Sequence, residues 1–92
     1  MTDRFEQLRQ RFRRRVEAES SLLEAALVAG HYEIVEDFAH RLVGGGATFG
    51  FPDISLLAVP VEQAAQGRVA LSELLRLASP LLDELRRTAH AV

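Results

Sequence analysis

Of the three histidines in this chain, His40 stands in a context the others lack. It lies in the run Ala39-His40-Arg41-Leu42-Val43-Gly44-Gly45-Gly46-Ala47-Thr48-Phe49-Gly50. Three consecutive glycines there interrupt a pattern that otherwise reads as helix. Each interior glycine costs a helix roughly 1 kcal/mol relative to alanine, so a helix that keeps three needs bare backbone. A neutral imidazole nitrogen is a competent nucleophile near neutral pH. A histidine beside an uncovered stretch of helix is therefore a candidate to accept a transferred group.

Helix geometry tests whether the ring is reachable. Each residue advances about 100° around the axis, which puts His40 about 200° from both Phe38 and Leu42. With those two facing a core, His40 faces water. Glu33, Glu36, Asp37, Val43, Gly44 and Ala47 share its outer face. Helical side chains lean toward the N-terminus, so a large residue at 44 would cover the imidazole and Gly44 leaves it open. Gly45 and Gly46 point inward, where they suit close helix packing. Glu36 and Asp37, at i−4 and i−3, are placed to accept a hydrogen bond and orient the ring. His31 follows Gly30 at a helix start and is expected to cap or fill that turn, and His90 lies near a terminus. The histidines have no metal-ligand spacing, and no metal site is expected.

Four helical segments must position this face. Thr2 to Ala29 contains neither proline nor glycine, and Phe5, Leu8, Phe12, Val16, Leu23 and Leu27 form one apolar stripe. Thr2 or Asp3 caps its start, and Gly30 stops it. Arg9, Arg11, Arg13, Arg14 and Arg15 make it locally basic, which reads as a solvated face paired with nearby glutamates or, more sharply, as a docking patch for an acidic partner. The second helix spans Tyr32 to Phe49, with Ile34, Phe38, Leu42 and Phe49 inward and Val35, Gly45 and Gly46 beside them. Gly50-Phe51-Pro52-Asp53 reads as a turn. The third helix spans Asp53 to Gln66, with Ile54, Leu57, Val61 and Ala65 inward. Pro60 is expected to kink it and Gly67 to end it. The fourth segment spans Val69 to Ala89, with Leu71, Leu74, Leu75, Ala78, Leu81, Leu82 and Leu85 inward. Ser79-Pro80 either kinks that helix or starts a new one. No segment alternates with period two. Short connections between long helices favour antiparallel neighbours. The predicted fold is all-α, an antiparallel up-down four-helix bundle.

Size and composition bound the function. A chain of 92 residues makes one domain, residues 1–92, with one modest core and no room for a separate nucleotide-binding unit. A formal net charge of −2 argues against nucleic acid as the main partner. There is no cysteine, so no disulfide or thiolate site. The apolar runs are too short to span a bilayer, and the polar N-terminus is unlike a signal peptide. The expectation is a cytoplasmic globular domain with no membrane partner, and a closed bundle is expected to be a monomer.

The motif H-x-L-x-G, a small residue three further on, then F-G, resembles the active helix of histidine-containing phosphotransfer (HPt) domains. The resemblance extends from the first helix through the fourth. Ala29-Gly30-His31-Tyr32-Glu33 is similar to the family's link into the active helix, and Asp37-Phe38-Ala39-His40-Arg41-Leu42 to its A-H-x-L core. Gly44, Ala47, Phe49 and Gly50 fall at the family's offsets. Leu57 and the Val61-Glu62 pair resemble the following helix, where a leucine-glutamate pair is usual.

The resemblance implies that His40 is the phosphoacceptor. It would shuttle a phosphoryl group between receiver-domain aspartates of response regulators or a hybrid sensor histidine kinase. Attack on an aspartyl phosphate needs Nε2 free and in line, with the proton on Nδ1. Such a phosphocarrier binds no ATP, consistent with the lack of a P-loop or kinase glycine motif, and has no cofactor of its own. Mg²⁺ is expected in the partner's acidic pocket. The family usually has lysine three residues after the histidine, where this chain has Val43. Arg41 is adjacent in sequence but about 100° around the helix, an imperfect substitute for that charge. Two alternatives stand beside this reading. One is an HPt-like adaptor that binds a receiver domain or kinase without phosphotransfer. The other is an oligomerisation domain using the apolar third and fourth segments.

Overall fold

The computed structural model describes residues 3–90. Four helices follow in chain order: α1 (Arg4–Ala29), α2 (Tyr32–Thr48), α3 (Pro52–Gln66) and α4 (Leu71–His90). No strand occurs among the described residues. Connections at 30–31, 49–51 and 67–70 reverse the chain each time. Each helix packs on its neighbours in the cyclic order α1, α2, α3, α4, with α2 on α3 the most extensive pair and α1 on α2 the least. The result is the expected up-down bundle, drawn out to 48 × 19 × 18 Å.

The helix ends have local causes. Asp3 caps α1 by accepting from the Glu6 backbone N–H at 2.7 Å. Thr2, the other candidate cap, lies outside the described residues. Gly30, at φ 71°, closes α1 with its N–H on Leu27 O and His31 N–H on Ala26 O, the paired bonds that a left-handed residue permits at a C-terminus. Gly50, at φ 83°, repeats this after α2, with Phe51 N–H on Gly46 O at 2.7 Å. Pro52 opens α3 at a position where its missing N–H costs nothing.

Gly67 ends α3 as expected. Gly67 stays right-handed, and Arg68 takes the left-handed position at φ 51°. The left-handed region costs a non-glycine residue about 1–2 kcal/mol. Arg68 is held there as its guanidinium lies 5.4 Å from the Tyr32 ring centroid and 3.6 Å from Glu33. α3 runs on through Pro60, and α4 through Pro80 as one helix, so Ser79-Pro80 does not start a new element.

The core is a column of aliphatic side chains, with Leu23, Leu27, Val35, Ile54, Val61, Leu74, Leu81 and Leu85 at 0–1% exposure. Of the expected stripes, Phe5, Ile34 and Leu75 are exposed, and Leu8, Phe49, Leu57, Leu71 and Leu82 are only half-buried. Ile34 is 46% exposed and Val35 is buried in its place. One residue turns the side chain about 100°, and Ile34 faces the flank where α1 and α2 pack least. Phe5 is 53% exposed, at the tip of α1 beyond the core. Leu75 sits on the outer shoulder of α4. Leu57 is half-buried, and Ala58 and Ala64 fill the α3 seam. At one end of the bundle Phe12 stacks on Phe51 at 5.1 Å and tilts against Phe49 at 5.5 Å. Arg9 and Arg13 lie over the Phe51 ring, so Phe51 belongs to this aromatic cluster.

Candidate functional site

Phe38 and Leu42 are buried on α2, and His40 between them projects outward with its side chain 77% exposed. The ring leans toward α3. Its Nδ1 lies 2.7 Å from Glu62 Oε2. Glu62 is mostly covered, at 18% side-chain exposure. An ionised carboxylate only accepts, so Nδ1–H is the donor, and in the neutral ring the lone pair then sits on Nε2. Nε2 has no hydrogen-bond partner among the described residues. The carboxylate thus selects the tautomer and fixes the ring plane, while the other nitrogen faces solvent.

This arrangement corrects the expectation that Glu36 and Asp37 orient the ring. Glu36 is half-buried and Asp37 exposed, and neither is hydrogen-bonded to His40. Side chains at i−4 and i−3 lie along α2, whereas the imidazole points across the groove to α3. Glu62 was visible in the sequence only as part of a family-like pair, without a role. One signal was available: Asp53 and Glu62 are the only charged residues in α3. A carboxylate in mid-helix on so apolar a segment needs a partner.

The glycine run divides as expected. A Cβ on Gly44 would meet nothing within 4 Å. On Gly45 it would meet Phe12 Cε2 at 2.9 Å, and on Gly46 Ser55 N at 2.8 Å and Phe51 O at 2.9 Å. Gly45 therefore seats α1 on α2, and Gly46 lets the α2 and α3 backbones touch. Ser55 Oγ adds a hydrogen bond to Val43 O at 2.8 Å. These contacts hold α3 at a fixed distance within two turns of His40, and with it Glu62.

The remaining candidates are distributed around this face. Ala47 is exposed two turns beyond His40, and Val43 is half-buried against the core. The Arg41 guanidinium lies 4.7 Å from the Phe38 ring centroid, on the α1 flank of α2. That position corrects its reading as a stand-in for the lysine charge, since the ring face holds the cation away from the His40 groove. His31 is the N-cap residue of α2 but makes no side-chain cap. Among the described residues, no group of three or more His, Cys, Asp or Glu side chains could hold a metal ion. No helix among them is long and apolar enough to cross a membrane.

The domain is thus a four-helix bundle that presents an oriented, solvent-facing imidazole from mid-helix. A family model described as Hpt domain matches residues 7–92, and the chain belongs to that family. No curated protein and no solved structure matched the sequence. Membership gives the chain a phosphotransfer-related role in two-component signalling, and Hpt domains interact with receiver domains in phosphorelays.

Proposed function

We propose that this protein is a histidine phosphotransfer protein that accepts a phosphoryl group on His40 Nε2 from one receiver-domain aspartate and passes it to another. The observation that carries the reading is the exposed imidazole with Nδ1 held by Glu62 and Nε2 open. In the forward step the Nε2 lone pair forms the N–P bond. The acyl phosphate's P–O bond breaks, and its electron pair leaves with the aspartate carboxylate. The ring gains positive charge as the N–P bond forms, and Glu62 sits against the Nδ1–H where that charge is felt. The reverse step runs through the same geometry. Phosphoryl transfer asks mainly for positioning and charge neutralisation. In this proposal the neutralising Mg²⁺ is supplied by the partner's acidic pocket. Gly44 leaves room for the partner's loops, with Ala47 and Val43 beside it on the docking face. Receiver domains of response regulators or a hybrid sensor histidine kinase are the proposed partners.

A second reading, an adaptor that binds without transfer, is favoured by Val43, which leaves the groove without the cation usual in the family. One assay separates the two. Phosphorylated receiver domains from the same organism are incubated with the wild type, His40→Ala and Gly44→Leu in the presence of Mg²⁺. The relay reading expects acid-labile label on the wild type, none on a folded His40→Ala, and strongly reduced transfer to Gly44→Leu. Label on His40→Ala overturns the assignment. Binding of the wild type with no label supports the adaptor.

A further inference from the structure

The N-terminal half of α1 is strongly cationic in a chain that is acidic overall. Residues 3–15 hold six arginines and two acids, and the rest of the chain five arginines and eleven acids. Little of that local charge is neutralised within the fold. Arg11 and Arg14 are exposed and have no ion-pair partner among the described residues. Arg15 reaches Glu19 at 3.6 Å and still has 56% of its side chain exposed.

Two of these arginines border the His40 face. Arg11 and Arg15 line a groove between α1 and the C-terminal end of α2, with Phe12 and Phe49 beside them. Arg15 Nη2 stands 3.8 Å from where a Cβ of Gly45 would be. Its charge therefore lies over bare backbone about 7.5 Å along α2 from His40. Arg41 is exposed, has no ion-pair partner among the described residues, and carries a third guanidinium on the same flank. The opposite flank has no counterpart. α3 contains no arginine or lysine, and its Glu62 is engaged by His40. Charge around the imidazole is thus one-sided, with cations on the α1 flank and none on α3.

We propose that Arg11, Arg15 and Arg41 form a cationic rim that engages acidic side chains of the receiver domain seated on His40 and fixes its rotation about the imidazole. The inference rests on the reading that a receiver domain seats there, in the relay or the adaptor form. A standard interface covers about 800 Å² on each partner, a disc of roughly 16 Å radius. Centred on His40, such a disc takes in Arg41 and Arg15 and reaches Arg11 at its edge. The partner is acidic on chemical grounds, because a pocket that presents an aspartyl phosphate to Mg²⁺ is built from carboxylates. Guanidinium forks pair with carboxylates in two parallel hydrogen bonds. Rim charges act chiefly on encounter, raising the association rate in a salt-dependent way. The one-sided rim favours a partner turned with its acidic edge over α1.

The test is transfer from phosphorylated, net-acidic receiver domains of the same organism, with binding followed in parallel over a salt series. The wild type is compared with Arg11→Glu/Arg15→Glu and with Arg76→Glu/Arg87→Glu, which makes the same charge change on α4. All four side chains are exposed, so both variants are expected to keep their helicity by circular dichroism. The second-order rate constant of the wild type is expected to fall with salt. The α1 variant should start at least about tenfold lower at low salt, lose most of the salt dependence, and keep its rate at saturating receiver. Arg11→Gln/Arg15→Gln, which removes charge without adding any, should fall between. The α4 variant should stay within about twofold of the wild type. Equal losses in the α1 and α4 variants, a wild type indifferent to salt, or a loss confined to the saturating rate overturns the proposal. The same pattern in binding with no label keeps the rim and overturns the relay reading, whereas binding of no receiver domain overturns both. Adsorption to phosphatidylglycerol vesicles that the α1 variant loses, while its receiver binding is unchanged, assigns the arginines to a lipid surface and overturns the proposal.

Discussion

Replacing each of Gly44 and Gly46 with alanine separates two reasons for a glycine in one helix. Both substitutions gain helix propensity, about 1 kcal/mol each. That gain is common to the two variants and cancels in their difference. At position 44 the new methyl meets nothing within 4 Å, so Gly44→Ala is expected to stabilise by about 0.5–1 kcal/mol. For a domain of this size that raises Tm by roughly 2–8 °C. At position 46 the methyl would stand 2.8 Å from Ser55 N, 2.9 Å from Phe51 O and 3.3 Å from Ile54 Cβ. Two of those atoms are backbone and cannot rotate away, so α2 and α3 must separate over a fully buried Ile54. Overpacking of that kind costs about 1–3 kcal/mol, which is then the expected gap between the variants. Urea unfolding followed by circular dichroism measures both. A Gly46→Ala protein as stable as Gly44→Ala would refute the close α2–α3 contact. A destabilised Gly44→Ala would refute the open surface at 44. The expected result also sharpens the functional argument, because a glycine the fold would gain by replacing is there for something outside the fold.

Other expectations concern the site and one surface pair. Glu62→Ala removes the acceptor for Nδ1–H and is expected to slow phosphotransfer by about tenfold, the scale of one charge-assisted hydrogen bond at an exposed ring. Glu62→Gln keeps an acceptor without the charge and should fall between, and ¹⁵N chemical shifts of the imidazole would report the tautomer in each. Equal rates in all three proteins would remove Glu62 from the mechanism. Val43→Lys puts a cation at a half-buried position one turn from His40 and is expected to lengthen phosphohistidine lifetime, read as decay of label after the donor is removed. On α4, the hydrogen bonds from Arg76 hold the Glu73 carboxyl below its ordinary range. A lowered carboxylate stabilises the fold above its unfolded pKa and is lost as pH falls through the folded one. Arg76→Gln should return Glu73 to the ordinary range in an NMR titration and leave neutral-pH activity unchanged.

Much of this protein is local in origin. Periodicity and end signals are properties of one segment, so four helices, their order and most of their bounds could be read without a structure. The outward direction of His40 is local too, because Phe38 and Leu42 settle it through the turn of a single helix. So is the split between Gly44 and its two neighbours, which differ by 100° steps on one axis. What local pattern leaves open is which neighbour meets each flank. Ile34 and Val35 are equally apolar, and Val35 is the buried one because it shares the packed face of α2 with Phe38, Ala39, Leu42 and Gly46. Arg41 could have served the histidine, but the Phe38 face holds it on the other flank. Arg68, not Gly67, bears the left-handed turn, because Tyr32 and Glu33 of another helix hold it there. Glu62 is the clearest case: it lies 22 residues from His40 in sequence and 2.7 Å from it in space. That distance depends on the register of α3 against α2, which is set by the backbone contact at Gly46 and the Ser55–Val43 hydrogen bond. Neither exists until the two helices are packed, so the histidine was legible from the chain and its orienting partner only from the fold.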